Sequence, residues 1–160
     1  TGEVLGVGKT FGEALFKSQL AASTTLPKSG AVLLTVKDSD KAKAVEVAQM
    51  LHDMGYSIVA TQGTAEAIEK AGVPVKRVNK VKDGRPHIVD MIKNGEIELV
   101  FTTVDETRTA IADSRSIRTT AQANRITYYT TISGAKAAVA GIKAIDQLEV
   151  YDLQSLHASL

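Results

Sequence analysis

The sequence predicts an α/β fold, a doubly wound, Rossmann-like parallel sheet of about five strands with helices on both faces. Three observations carry that expectation. Short apolar runs recur at Ala31–Val36, Ser57–Ala60, Val75–Val78, Leu99–Thr103 and Ile126–Thr130; the clearest lack polar alternation, as strands covered on both faces require. Between them stand helix-period segments: Ala44, Val47, Ala48, Leu51 and Met54 fall at offsets 0, 3, 4, 7 and 10, which is one face of a helix. The regular order of strand and helix gives repeated β-α-β units, whose crossovers are right-handed and whose sheet is therefore parallel.

Element by element, the first 30 residues differ from the rest. Gly2-Glu3-Val4-Leu5-Gly6-Val7-Gly8 reads as a loop or strand end, and Thr10 to about Leu20 as a helix with Phe11, Ala14, Leu15 and Ser18 on one face. Thr10-x-x-Glu13 is a capping box. Ala21 to Gly30, small and polar, reads as a linker. After the first strand, Asp38-Ser39-Asp40 starts a helix that Gly55 closes. Thr64 to Ala71 is a short helix ended by Gly72, and Val75 to Val78 is the weakest strand. Pro86 suits the first position of a helix through Lys93. A further helix lies between Thr107 and Ala123, and Ala135, Ala138, Val139, Ile142 and Ile145 mark the closing one.

Composition narrows the function. The chain has 160 residues, enough for one domain with a real core. Nineteen Lys and Arg against 18 Asp and Glu leave a net charge of +1, which excludes the broad positive field of a nucleic-acid binder. An anion site must be local. Without Cys there is no disulfide or thiolate metal site. The three His (His52, His87, His157) lack metal-ligand spacing. No apolar run approaches a membrane span, so a soluble, cytoplasmic protein is expected. The start at Thr1, without Met, reads as a piece of a longer polypeptide.

In a doubly wound sheet ligands bind beyond the carboxyl ends of the strands. The loops there are rich in Thr, Ser, Lys and Gly. Gly6-Val7-Gly8-Lys9-Thr10 resembles the end of a phosphate-binding P-loop, but the motif needs Gly where Glu3 stands, and Thr10 is explained as a cap. Thr61-Gln62-Gly63-Thr64 follows a buried strand at a helix start, where hydroxyls, backbone N–H groups and the helix dipole converge on an oxyanion. Lys41 and Lys80 flank the same sheet edge and complete a phosphate constellation. His87, near Asp83 and Asp90, invites a general-base role, yet no nucleophile accompanies it; a loop that positions Lys80 and caps the next helix is preferred. Asp113-Ser114-Arg115 can offer a hydroxyl or simply interrupt a helix. Tyr128 and Tyr129 read as core.

These loops together resemble methylglyoxal-synthase-like domains, and more narrowly the C-terminal allosteric domain of carbamoyl phosphate synthetase large subunits. The match rests on Asn79-Lys80-Val81 with Gly84-Arg85-Pro86-His87, on Thr61-Gln62-Gly63-Thr64, on Lys93-Asn94-Gly95-Glu96, and on Asp113-Ser114-Arg115 with Ile117-Arg118. The resemblance implies that residues 1–29 are the tail of a preceding ATP-using domain plus linker, and 30–160 the allosteric domain. It implies UMP as inhibitor and IMP as activator at one overlapping site. Lys41, Thr61, Thr64 and Lys80 match the phosphate-side residues, and Thr35 and Ser114 further nucleotide contacts. Thr102 stands where some members have Asn, Val104 where they have Thr, and the loop from Val104 to Arg108 is about one residue longer. Tyr128 and Thr130 match residues that touch ornithine in ornithine-activated members.

The resemblance further implies a non-catalytic chain, with no metal and no cofactor of its own, inside an ATP-dependent ligase that uses Mg or Mn. That ligase serves pyrimidine and arginine biosynthesis. Its partners would be the rest of the large subunit and a glutaminase small subunit, with no nucleic acid and no membrane; an isolated fragment can self-associate through surfaces its neighbours would cover. The alternative is a free-standing methylglyoxal-synthase-like lyase acting on a triose phosphate. It needs a catalytic Asp in a Gly-Gly-Asp context, whereas this chain has Lys82-Asp83-Gly84-Arg85-Pro86. A purely structural oligomerisation domain would leave the Thr and Lys clustering unexplained.

Overall fold

The computed structural model describes residues 3–105 and 107–158. Gly2, in the predicted N-terminal loop, and Glu106, in the Val104–Arg108 loop, lie outside the described residues, as do Thr1, Ser159 and Leu160. In chain order the elements are α1 (Phe11–Ala21), β1 (Ala31–Thr35), α2 (Lys41–Asp53), β2 (Ser57–Thr61), α3 (Gln62–Lys70), β3 (Lys76–Val78) and α4 (Ile88–Lys93). Then follow β4 (Leu99–Thr102), α5 (Arg108–Ala123), β5 (Thr127–Tyr129), α6 (Ile132–Lys143) and α7 (Leu153–Ala158). The five strands form one sheet in the order β3-β2-β1-β4-β5, every neighbouring pair parallel. The predicted fold class is the observed one. Helix α7 has no counterpart in the sequence reading.

Two compact units emerge, one from Pro27 to Lys136 and one made of the residues up to Leu26 and those from Ala137 onward. The first holds the sheet. Successive strand residues point to opposite faces. On one face Leu33, Val59 and Val100 pack with Ile88, Met91 and Ile92 of α4 and Ile117 and Ala121 of α5. The alternate residues Val32, Leu34, Ile58, Ala60, Leu99 and Phe101 are also buried, and α2 and α3 pack against β2 and each other. Both faces are thus covered, which is why these strands read as continuous apolar runs. Each fully buried aliphatic side chain contributes about 1.5–3 kcal/mol.

Two helix starts differ from expectation. Helix α3 begins at Gln62, not Thr64, with Thr61 as its N-cap residue, so Gly63 and Thr64 sit in its first turn. Pro86 does not open α4. His87 is the N-cap instead: its Nδ1 accepts from the Asp90 N–H while Asp90 Oδ2 accepts from the His87 N–H at 3.1 Å. This reciprocal box satisfies two otherwise orphan donors and moves the start to Ile88. It also gives His87 the capping role.

The second unit explains the N-terminal glycines. A Cβ on Gly6 would lie 1.9 Å from the Ala14 carbonyl oxygen, and one on Gly8 2.7 Å from Ala14 N. These glycines let the chain run against the α1 backbone, so the P-loop-like spacing is packing. Thr10 Oγ1 accepts from Glu13 N at 3.2 Å. The Glu13 carboxylate accepts from Lys9 N at 2.8 Å, from Lys17 Nζ at 2.7 Å and from Tyr151 OH at 3.1 Å. The hydrogen bond from Lys17 chiefly holds the Glu13 carboxyl below its ordinary range, against the opposing effect of burial. A depressed carboxylate contributes stability that is fully present above its unfolded pKa of about 4.3 and is lost as pH falls through the lower folded value. Thermal melts of the 160-residue chain from about pH 7 to pH 3 should therefore show a flatter acid limb for Glu13→Gln than for wild type. Equal slopes would contradict this role.

Candidate functional site

The strand order reverses between β1 and β4, so their carboxyl ends diverge and leave a crevice. A pocket of about 110 Å³ lies there. Thr35 ends β1, Thr102 ends β4, Ser114 comes from α5 and Lys80 follows β3, and all four line the pocket. Thr102 is 3% exposed and Ser114 6%. Among the described residues neither hydroxyl has a hydrogen-bond partner in the protein. No fully buried side-chain N or O atom among the described residues lacks a partner, so these two hydroxyls open onto the pocket, where a ligand's polar groups can meet them.

The other threonines of this edge are already engaged. Thr61 Oγ1 donates to Thr35 Oγ1 at 3.2 Å. Thr64 Oγ1 accepts from Val36 N at 3.2 Å, and Thr103 Oγ1 accepts from Lys37 N at 3.1 Å. Two hydroxyls thus pin consecutive backbone amides of the loop after β1. Thr103 was not among the predicted site residues; one Thr in a Thr-rich strand end gives no sign that its partner lies 66 residues away.

Lys41, first residue of α2, carries its ammonium 2.8 Å from Asp38 Oδ1. A Cβ on Gly63 would stand 3.1 Å from Lys41 Nζ, so the ammonium lies over the first turn of α3, where free N–H groups gather. Asp38 shares the pocket wall with Lys80. Its carboxyl is held below the ordinary range first by the hydrogen bond and charge of Lys41, with Lys80 adding to the effect and burial opposing it. The sequence points to both lysines as site residues but gives Asp38 only as part of a helix start. Lys37, Val104, Asp105 and Asp113 also line the pocket.

Tyr128 and Thr130 do not line it. Tyr128 packs half-buried against the core cluster from the edge strand β5, and Thr130 is exposed just beyond that strand. Tyr129 sets its ring 5.9 Å from that of Phe101, and burial raises its pKa. A larger hollow of about 680 Å³ lies at the opposite, amino end of the sheet, lined by Tyr56, Ile58, Pro74, Val75 and Met91. Its Lys76 is neutralised by Glu96 at 3.7 Å. It offers no helix N-terminus and no free cation pair to an anion, so chemistry favours the smaller crevice. No group of His, Asp or Glu among the described residues is placed to hold a metal.

Residues 43–130 match the MGS-like domain family, and the chain belongs to it. It is similar over its full length to carbamoyl phosphate synthase large chains: 76% identical to that of Ralstonia nicotianae and 49% to that of Pseudomonas aeruginosa. The chain spans 15% of the length of these relatives. Methylglyoxal synthase from Elizabethkingia anophelis shares the fold, with TM-score 0.58 and 21% identity over 82% of this chain and 92% of that one. No helix among the described residues is long and apolar enough to cross a membrane.

Proposed function

We propose that this chain is the regulatory nucleotide-binding domain of a carbamoyl phosphate synthase large chain, taking UMP as inhibitor and IMP as activator. The observation that carries the reading is the crevice at the β1/β4 reversal, where the hydroxyls of Thr102 and Ser114, open to the pocket and without a partner in the protein, share a wall with Lys80. In this reading the phosphate sits at the α3 N-terminus between Lys41 and Lys80, with Thr61 and Thr64 framing it. Thr35, Thr102 and Ser114 meet the ribose and base. The chain performs no chemistry; His87 and Asp90 are spent on capping.

Regulation then follows from differential affinity. An effector shifts the enzyme only by the difference in its binding to two conformations. Tyr128 and Thr130, on the β5 edge and away from the crevice, would contact ornithine together with the preceding part of the enzyme. ATP with Mg or Mn would act elsewhere in that cytoplasmic enzyme, beside its glutaminase subunit. Calorimetric titration of the full-length enzyme with UMP and with IMP tests the reading. Saturable, mutually competitive binding is expected; absence of binding by both would contradict it.

A further inference from the structure

The Lys41 ammonium is already engaged. Asp38 Oδ1 lies 2.8 Å from it, and the Asp38 side chain is 90% exposed while that of Lys41 is 30% exposed. Asp38 opens the short turn Asp38–Asp40 that leads into α2, so its carboxylate stays within one helical turn of Lys41 wherever it rotates. It also lines the pocket wall that Lys80 lines. Neither this turn nor α2 draws a capping hydrogen bond from it. The carboxylate thus stands where a second anion would stand, facing the same cation, without a backbone duty of its own.

Resting on the phosphate-site reading above, we propose that Asp38 is a resident counter-anion that competes with the effector's phosphate for Lys41 and so sets effector affinity. A phosphate monoester brings about −1.5 to −2 charges at pH 7, so it outcompetes one exposed carboxylate. The Asp38 side chain swings towards solvent, and a residual like-charge repulsion remains. Exposed charge pairs of this kind are weak, so the competition tunes affinity rather than abolishing it. It acts on phosphate-bearing ligands and leaves neutral ones alone.

The test uses the full-length chain that carries this domain, titrated by calorimetry with UMP, inorganic phosphate and uridine at fixed low salt. Asp38→Asn should bind UMP about three- to five-fold more tightly, with the same gain for inorganic phosphate and none for uridine. Asp38→Glu, which keeps the charge, should return the wild-type affinity; a purely structural loss would not be rescued in this direction. If Asp38→Asn binds UMP no better than wild type while Lys80→Ala has lost it, the counter-anion role is wrong and the phosphate site stands. If Lys80→Ala keeps its affinity, or wild type binds no UMP, the phosphate site itself falls and takes this inference with it.

Discussion

Lys80→Ala should weaken UMP binding by about ten- to one-hundredfold, with the fold unchanged. Lys80 is exposed, follows β3 and forms no ion pair within 4 Å among the described residues, so its removal strands no partner. Its one role in this account is a charge-assisted hydrogen bond to a phosphate, worth about 1.5–3 kcal/mol. The salt dependence of binding should fall with it, because one fewer cation meets the anion. Calorimetry and a denaturant melt on the same sample separate the two effects. Lost affinity with an unchanged melt supports the assignment; unchanged affinity removes Lys80 from the site.

Phe101→Ala should cost about 3–5 kcal/mol of stability, as large aromatic truncations in packed cores do. Phe101 is 1% exposed on the inner strand β4 and pairs with Tyr129, their ring planes tilted by 51°. The next residue is Thr102, so the cavity left behind loosens the strand end that forms the crevice floor. Effector affinity should therefore fall along with stability. The urea midpoint of the 160-residue chain reads the first and a UMP titration the second. A loss under about 1 kcal/mol would mean that this face of the sheet is not the packed core described.

The fold was legible because its signals are local. Strand runs such as Ala31–Thr35 declare two-sided burial by lacking polar alternation, and Gly55, in the left-handed region at φ +87°, marks the end of α2 by itself. The site was legible only as composition at one sheet edge. Thr61, Thr64, Thr102 and Ser114 look alike in sequence, yet the first two spend their hydroxyls on Thr35 and Val36 while Thr102 and Ser114 line the pocket. That division depends on partners far along the chain, as does the clasp of Thr103 on Lys37. Gly6 and Gly8 misled in the other direction: a phosphate-like spacing turned out to be close packing on α1. The start of α4 was missed because Pro86 is the stronger local cue, whereas the decisive contact is the His87–Asp90 box.

The most direct test is a crystal structure of the full-length enzyme with UMP bound. The phosphate is expected at the first turn of α3, within hydrogen-bond reach of Lys41 and Lys80, with Asp38 turned away and the nucleoside against Thr102 and Ser114. Nucleotide density in the hollow at the amino end of the sheet, beside Tyr56 and Met91, would contradict it.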